Sequence, residues 1–536
     1  MARTRDDTIK KATEDTLEQL RQQIPKPKVD DIKGEIIDAV GNAIRLENAA
    51  RPKGEQWRIP DRMEPVQIAK CMLTFDTVRK IALAGKTMGT EYDILAIYQE
   101  SGADEGIYVA DDTQLRKIAR RYNYMLSRKE FDEVESILRE EAPRTVRCSE
   151  RNLIPVNNGI FDYDTKKLHP FSPEFVFLYK THVNYNPRAR NVTIHNPDDG
   201  TDWDVESWMT DLMDDGELDD AIWEVIGACV RPNVPWGKAA WFYSETGNNG
   251  KGTLCELMRQ LVGEGGYASI PLSDMSKDFL LEPLLNANAI IVDENDVGTY
   301  IDKAANLKAI ITNDVIQINR KFKTPVAYQF KGFMVQCLNE MPRVKDKSDS
   351  FYRRQLFIPF SKCFTGAERK YIKHDYLHRS EVLEYVLYKV LNMNYYTLSV
   401  PEACKIALDE YREFNDPVRQ FMSEIMPELK WDLVPKNFLY DLYGAWYKTN
   451  FPGRDETSKP KFYKQLEKLL EEDYPEWTYD ASKAIKPVNK MDWPEPLIAE
   501  YNLQSWMNPF YRSSNDLTKK CCPPLKSTYT GLTRRK

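Results

Sequence analysis

Two rhythms run along this chain, and they separate its helices from its buried strands. Helical stretches place apolar residues every three or four positions; buried strands are short, solid apolar runs. The solid runs crowd the middle of the sequence. Ala239, Ala240, Trp241, Phe242 and Tyr243 form one; Ala289, Ile290, Ile291 and Val292 another; 333–338 and 356–360 two more. Between the first two, Leu254, Leu257, Met258 and Leu261 fall on one helical face. Residues 236–400 therefore read as alternating strand and helix, an α/β domain with a parallel sheet.

The flanks read differently. Residues 201–235 look like a helical collar through Trp208, Leu212, Leu218, Ile222, Trp223, Val225 and Ile226. Residues 56–200 mix helix and strand around turn signals such as Asn157-Asn158-Gly159. Asn415-Asp416-Pro417 marks the next boundary. After it, amphipathic helices over 435–448 and 458–471, then alternating Trp477 and Tyr479, make 416–490 compatible with a winged helix. Residues 1–55 are dense in charge; a helix over 8–23, ended by Pro25 and Pro27, reads as an arm. Residues 491–536, rich in Pro, Asn and Ser, read as a tail.

Composition narrows the classes. At 536 residues there is room for about three domains. A net charge of −7 excludes a global basic footprint, so any polyanion partner must be met by a local patch. Nine scattered cysteines suggest a reducing compartment and a cytoplasmic location. No apolar run reaches the ~18 residues of a membrane span, so no membrane is expected.

The loop after the first solid run carries the strongest chemistry. Thr246, Gly247, Asn248, Asn249, Gly250, Lys251, Gly252 and Thr253 link a strand to a helix, which is the P-loop arrangement. Glycines let backbone N–H groups curl around phosphates, and a lysine reaches the terminal ones. The helix start adds partial positive charge. The match departs from the consensus at Glu245, where glycine is usual, and at Gly252, where a hydroxyl is usual; Thr253 follows one residue late. Lys251 is expected at the surface with no packing role. A second Gly-Lys-Thr, at 85–87, lacks the upstream glycine, and 75–83 before it reads as helix.

Asp293 and Glu294 end the second strand run. A parallel strand delivers such carboxylates at its C-terminal edge, where Asp293 and Thr253 would serve Mg²⁺ and Glu294 would polarise a water. Asn339 ends the third run and can position that water. Arg353 and Arg354 precede the fourth. Between Glu294 and Asn339, 316–330 reads as a hairpin with Arg320, Lys321 and Lys323 at its tip, Lys321 and Lys323 facing one side. From 308 to 369 there are twelve Lys/Arg against five Asp/Glu, a local +7 that points to a polyanion.

Taken together, the motifs resemble superfamily 3 helicases, the AAA+-related family that includes the phage/plasmid and poxvirus-type primase-helicases. The shared order is Walker A at 247–253, Walker B at Asp293-Glu294, the basic hairpin, a sensor asparagine at Asn339 and an arginine finger at Arg353-Arg354. The segments Asn157-Asn158-Gly159-Ile160-Phe161-Asp162-Tyr163-Asp164 and Asn415-Asp416-Pro417-Val418 add to the likeness, which spans roughly residues 95–490. Asn313-Asp314 stands where Gly-Asp is usual. The resemblance implies an AAA+-like P-loop core with ATP and Mg²⁺ as cofactors. It also implies a homo-hexameric ring on single-stranded and forked DNA, 3′ to 5′ movement, and work with a primase or initiator at replication origins of a phage, plasmid or mobile element.

Three rivals stand beside it. Asp162 and Asp164 fit the hydrophobic-Asp-hydrophobic-Asp pattern of a primase metal site. Gly-Lys-Gly-Thr is also the form of small-molecule kinases, although this chain is far too long for one. A non-catalytic, nucleotide-gated origin-binding protein would not need both Asp293 and Glu294. His374 and His378 read as a surface pair rather than a zinc site.

Overall fold

The computed structural model describes residues 4–535 except 84–88, 91–92, 214, 278, 322, 368, 452–455 and 481, and excepting the side chains of 323 and 324. The Gly85-Lys86-Thr87 tripeptide lies outside the described residues. The segment before it is a strand, Val78–Ala82, not the expected helix.

The chain divides into two compact units, residues 1–346 with 353–405, and 347–352 with 406–536. The first is built around a five-stranded, all-parallel sheet: β1 (Ala239–Tyr243), β2 (Tyr267–Ala268), β3 (Ala289–Val292), β4 (Phe333–Leu338) and β5 (Gln355–Pro359). Their order across the sheet is β2-β3-β4-β1-β5. All residues of β3 and β4 are buried. That is why these strands read as solid runs rather than alternations. The helix Lys251–Val262 follows β1 and buries Leu254, Leu257, Met258 and Leu261.

The N-terminal boundaries differ from the expected ones. Residues 1–55 are not an arm. Helices Arg5–Arg21 and Val29–Ala49 pack together and on Pro65–Phe75 in one apolar core. In the second helix Ile32, Ile36, Val40 and Ile44 make a four-residue stripe, all 0% exposed. In the first, threonines dilute the stripe: Thr13 is buried, its hydroxyl donating to the Ile9 carbonyl at 2.7 Å. The same core takes in helices Asp112–Tyr122 and Arg128–Glu141. From about residue 153 the chain joins a different core. Ile154, Phe161 and Tyr163 pack in the cluster that covers the central sheet, as do helices Val205–Met213 and Gly216–Val230. The expected 56–200 domain is thus shared between two cores.

The second unit packs helices Pro417–Ile425, Lys436–Asn450 and Lys459–Asp473 against a three-stranded antiparallel sheet. Its middle strand is Gly531–Arg534, flanked by Leu433–Pro435 and Trp477–Tyr479. The supposed tail therefore supplies the centre of the sheet, and Leu532 is fully buried. A chain ending at residue 530 should lose the cooperative unfolding of this unit while the first unit still melts. Differential scanning calorimetry should show one transition depleted; an unchanged trace would contradict the topology.

Candidate functional site

Three of the predicted segments leave the same edge of the sheet. The glycine-rich loop follows β1, Asp293 and Glu294 follow β3, and Asn339 follows β4, which hydrogen-bonds to both of the others. The C-terminal edge of a parallel sheet is where such folds bind ligands.

The loop is built by backbone geometry. Asn248 and Gly250 both take positive φ, 53° and 82°. At Gly250 a side chain is excluded twice, because a Cβ there would sit 2.3 Å from Leu212 Cδ1. The loop is also braced from behind β5: Phe364 N–H donates to the Asn248 carbonyl at 2.7 Å. Lys251 opens the helix and is only 4% exposed. This corrects the expected surface position. Its ammonium donates to the Ser244 carbonyl at 3.4 Å, and burial pulls its pKa below the usual lysine value. A desolvated cation with so weak a partner is poised for an anion.

Asp293 is half-exposed and held by Arg259 of the Lys251–Val262 helix, at 2.9 Å. That pairing is the main reason its carboxyl titrates below the usual aspartate value. Glu294 and Asn339 are exposed. Thr253 is half-buried and lines, with Gly250 and Gly252, a cavity of about 470 Å³. A Mg²⁺ bound mainly through phosphates and water needs one carboxylate and one hydroxyl from the protein. Asp293, here paired with Arg259, and Thr253 are donors of those two types.

What aims Asp293 was not seen in the sequence. Asn295, two residues on, is buried and donates to the Gln336 side chain and the Cys337 carbonyl, both at 3.0 Å. Its oxygen accepts from Leu272 N–H at 2.9 Å, and Gln336 donates to the Ile270 carbonyl at 3.1 Å. The network ties the ends of β3 and β4 to the chain beyond β2. A polar residue among solid apolar runs is the signal that could have found it.

The remaining predicted residues are placed elsewhere. Arg353 and Arg354 sit at the N-terminal end of β5, where Ala239 N–H donates to the Arg354 carbonyl at 2.8 Å. This is the edge opposite the glycine-rich loop. The hairpin exists, as Val315–Arg320 paired with Lys323–Gln329. However, Lys321 lies in the turn, so alternation does not put it and Lys323 on one face; the Lys323 side chain is outside the described residues. Arg320 is half-buried, and desolvation lowers its pKa while Glu282 opposes the shift. At least three of the twelve cations are paired: Lys308 with Asp346, Lys345 with Asp302, Lys362 with Asp211.

Asp162 and Asp164 serve structure. Asp162 accepts from Asn152 and Thr165, and Asp164 from the Tyr396 hydroxyl at 2.5 Å. Among the described residues no group of three or more His, Cys, Asp or Glu could hold a metal. His374 ends a short helix and His378 lies in the next turn, 3.4 Å from Glu256.

Three family matches divide the chain. Residues 34–213 match the "D5 N terminal like" family, 242–354 a family of unknown function (DUF5906), and 413–503 the "Poxvirus D5 protein-like" family. Two of the three models are D5 families, and these matches support a likeness to the D5-type primase-helicase family. The N-terminal match begins well before residue 95 and takes in most of the helix Val29–Ala49. A protein of Acanthamoeba polyphaga mimivirus described as "Putative helicase L207/L206" is 24% identical over 354 residues, covering 59% of this chain and 35% of that protein. The chain thus spans about a third of the length of this relative. Apo structures of the NrS-1 C-terminal region (305–718) are 14% identical. One covers 88% of this chain and 100% of that one at a TM-score of 0.43, another 80% and 98% at 0.41. Among the described residues no helix is long and apolar enough to cross a membrane.

An Asn295→Leu substitution keeps the volume but strips Leu272 N–H, Gln336 and the Cys337 carbonyl of partners. It should cost about 2–4 kcal/mol. Urea unfolding followed by tryptophan fluorescence measures this, and a loss under about 1 kcal/mol would contradict the network's role.

Proposed function

We propose that this edge of the sheet binds and hydrolyses Mg²⁺-ATP, and that the chain is a replicative DNA helicase with an AAA+-like P-loop core and a C-terminal winged-helix-like unit. The supporting observation is the convergence of a positive-φ glycine loop, a desolvated lysine, an acid pair and an asparagine on three neighbouring strand ends. In this reading backbone N–H groups of 247–253 and the Lys251 ammonium hold the phosphates. Asp293 and Thr253 would hold the metal, which would supply charge neutralisation. Glu294 takes a proton from water that Asn339 orients.

The family likeness supports the rest of the proposal: a homo-hexamer on single-stranded or forked DNA, moving 3′ to 5′. It would act in the host cytoplasm at replication initiation of a phage, plasmid or mobile element. Priming by Asp162 and Asp164 is not part of it, because both carboxylates are already engaged within the fold. The partner proposed is a primase or replication initiator, and a bifunctional primase-helicase is the alternative reading. The hairpin turn at Lys321 is the DNA contact proposed, with Arg320 and Lys323 beside it.

Lys251→Met should abolish ATP hydrolysis and, by replacing a buried cation with an apolar chain, leave the melting temperature unchanged or raised without nucleotide. Glu294→Gln should bind ATP and stall. Phosphate release and thermal shift with and without ATP test both; turnover at the parent rate in either would refute the assignment.

Arg354→Ala should lose activity through a neighbouring subunit. An arginine finger is worth roughly 10³–10⁵ in rate. Mixed with Lys251→Met subunits, it should regain activity at interfaces pairing an intact lysine with an intact arginine. Mixed rings seen by mass photometry with no recovery would remove the trans role.

A further inference from the structure

The cavity beside the glycine-rich loop is larger than phosphates need. It runs from Gly250, Gly252 and Thr253 to a wall of Trp208, Leu212, Phe364 and Ile372, about 470 Å³ in all. Its walls come from three places far apart in sequence: the loop, the segment after β5, and the helix Val205–Met213. The last lies within the stretch matched to the D5 N terminal like family, outside the 242–354 match. That helix is tied to the loop and to the segment after β5. Leu212 fills the space over Gly250, and Lys362 donates to the Asp211 carbonyl at 2.5 Å. At the phosphate end, Lys373 Nζ lies 3.8 Å from where a Gly252 Cβ would be.

We infer that this cavity is the base-and-ribose subsite of the nucleotide site, so the helix Val205–Met213 completes ATP binding in cis. The inference rests on the nucleotide reading above and adds its missing half. The chemistry fits a purine: an aromatic face at Trp208 and at Phe364, aliphatic packing from Leu212 and Ile372, and polar groups at Asn248, Asn249 and His374 for the ring edge. Pockets of 300–1,000 Å³ lined this way are the usual small-ligand sites. Lys373 supplies a second cation to the phosphates from the same chain. This is a residue the sequence offered no reason to choose.

The test separates base from phosphate. Isothermal titration of the full chain with Mg²⁺-ATP and with Mg²⁺-tripolyphosphate gives two affinities. Trp208→Ala should weaken ATP about tenfold, the usual worth of one base–aromatic stack, and leave tripolyphosphate unchanged. Trp208→Phe should restore ATP. Ala367→Trp changes an exposed turn residue on the cavity rim, so it should fold normally, block ATP and spare tripolyphosphate. Parent-like ATP affinity in both Trp208→Ala and Ala367→Trp would overturn the subsite alone. Equal loss of both ligands in folded Ala367→Trp would also overturn it. A parent chain that binds neither ligand would overturn the nucleotide reading and the subsite with it.

Discussion

The structure of the first unit depends on burying one strand completely. β4 enters the sheet between β1 and β3, and all six of its residues are buried. A strand buried on both faces can carry no unpaired polar group, because each costs about 1–3 kcal/mol. Yet β4 carries Gln336. Its amide is satisfied, among the described residues, by Asn295 and the Ile270 carbonyl, so three separate stretches of chain must meet at one height. Misregister by one residue would leave those groups unpaired and turn apolar side chains the wrong way. The same requirement fixes the ends of β3 and β4, from which Asp293 and Asn339 project. The geometry of the candidate site is thus a by-product of satisfying an amide.

Electrostatics at that edge run against stability. Lys251 is desolvated with one long hydrogen bond, and Asp293 is occupied by Arg259. Neither arrangement improves the fold much: a buried lone cation is costly, and a half-exposed ion pair contributes little. Under the proposed nucleotide reading, an anion carrying its own cation would give the lysine a partner and let the aspartate exchange an arginine for a metal. A site tuned to a ligand is under-satisfied without it.

What could be read from the sequence follows from how local each signal is. β1, β3, β4 and the helix Lys251–Val262 were legible because their burial is written in consecutive residues. The helices near 436–450 and 459–473 were legible by periodicity. The strand Gly531–Arg534 was not, because four residues with one large apolar side chain, Leu532, form a strand only where two others await them. The N-terminal helices were misread because Thr8, Thr13 and Thr16 are buried by bonding back to their own helix, which composition scores as polar. Lys251 was placed at the surface because type, not environment, was visible. Trp208 and Lys373 were invisible as site residues, since only the fold brings 208, 250 and 373 to one cavity.

The two arginines show how topology constrains chemistry even without a ligand. β1 and β5 are parallel and adjacent, so their starts share one edge and their ends the other. The glycine-rich loop follows the end of β1; Arg353 and Arg354 precede the start of β5. Five residues of strand separate the two edges by about 16 Å, more than twice the reach of an arginine side chain. No rotamer of either residue can meet phosphates held in its own chain's loop. If either neutralises charge in phosphoryl transfer, it does so at a second copy whose loop edge faces it. Such contacts join unlike surfaces, and they either close into a ring or propagate as a filament. The placement of the two residues thus excludes a cis role, and any role in trans belongs to the proposed assembly.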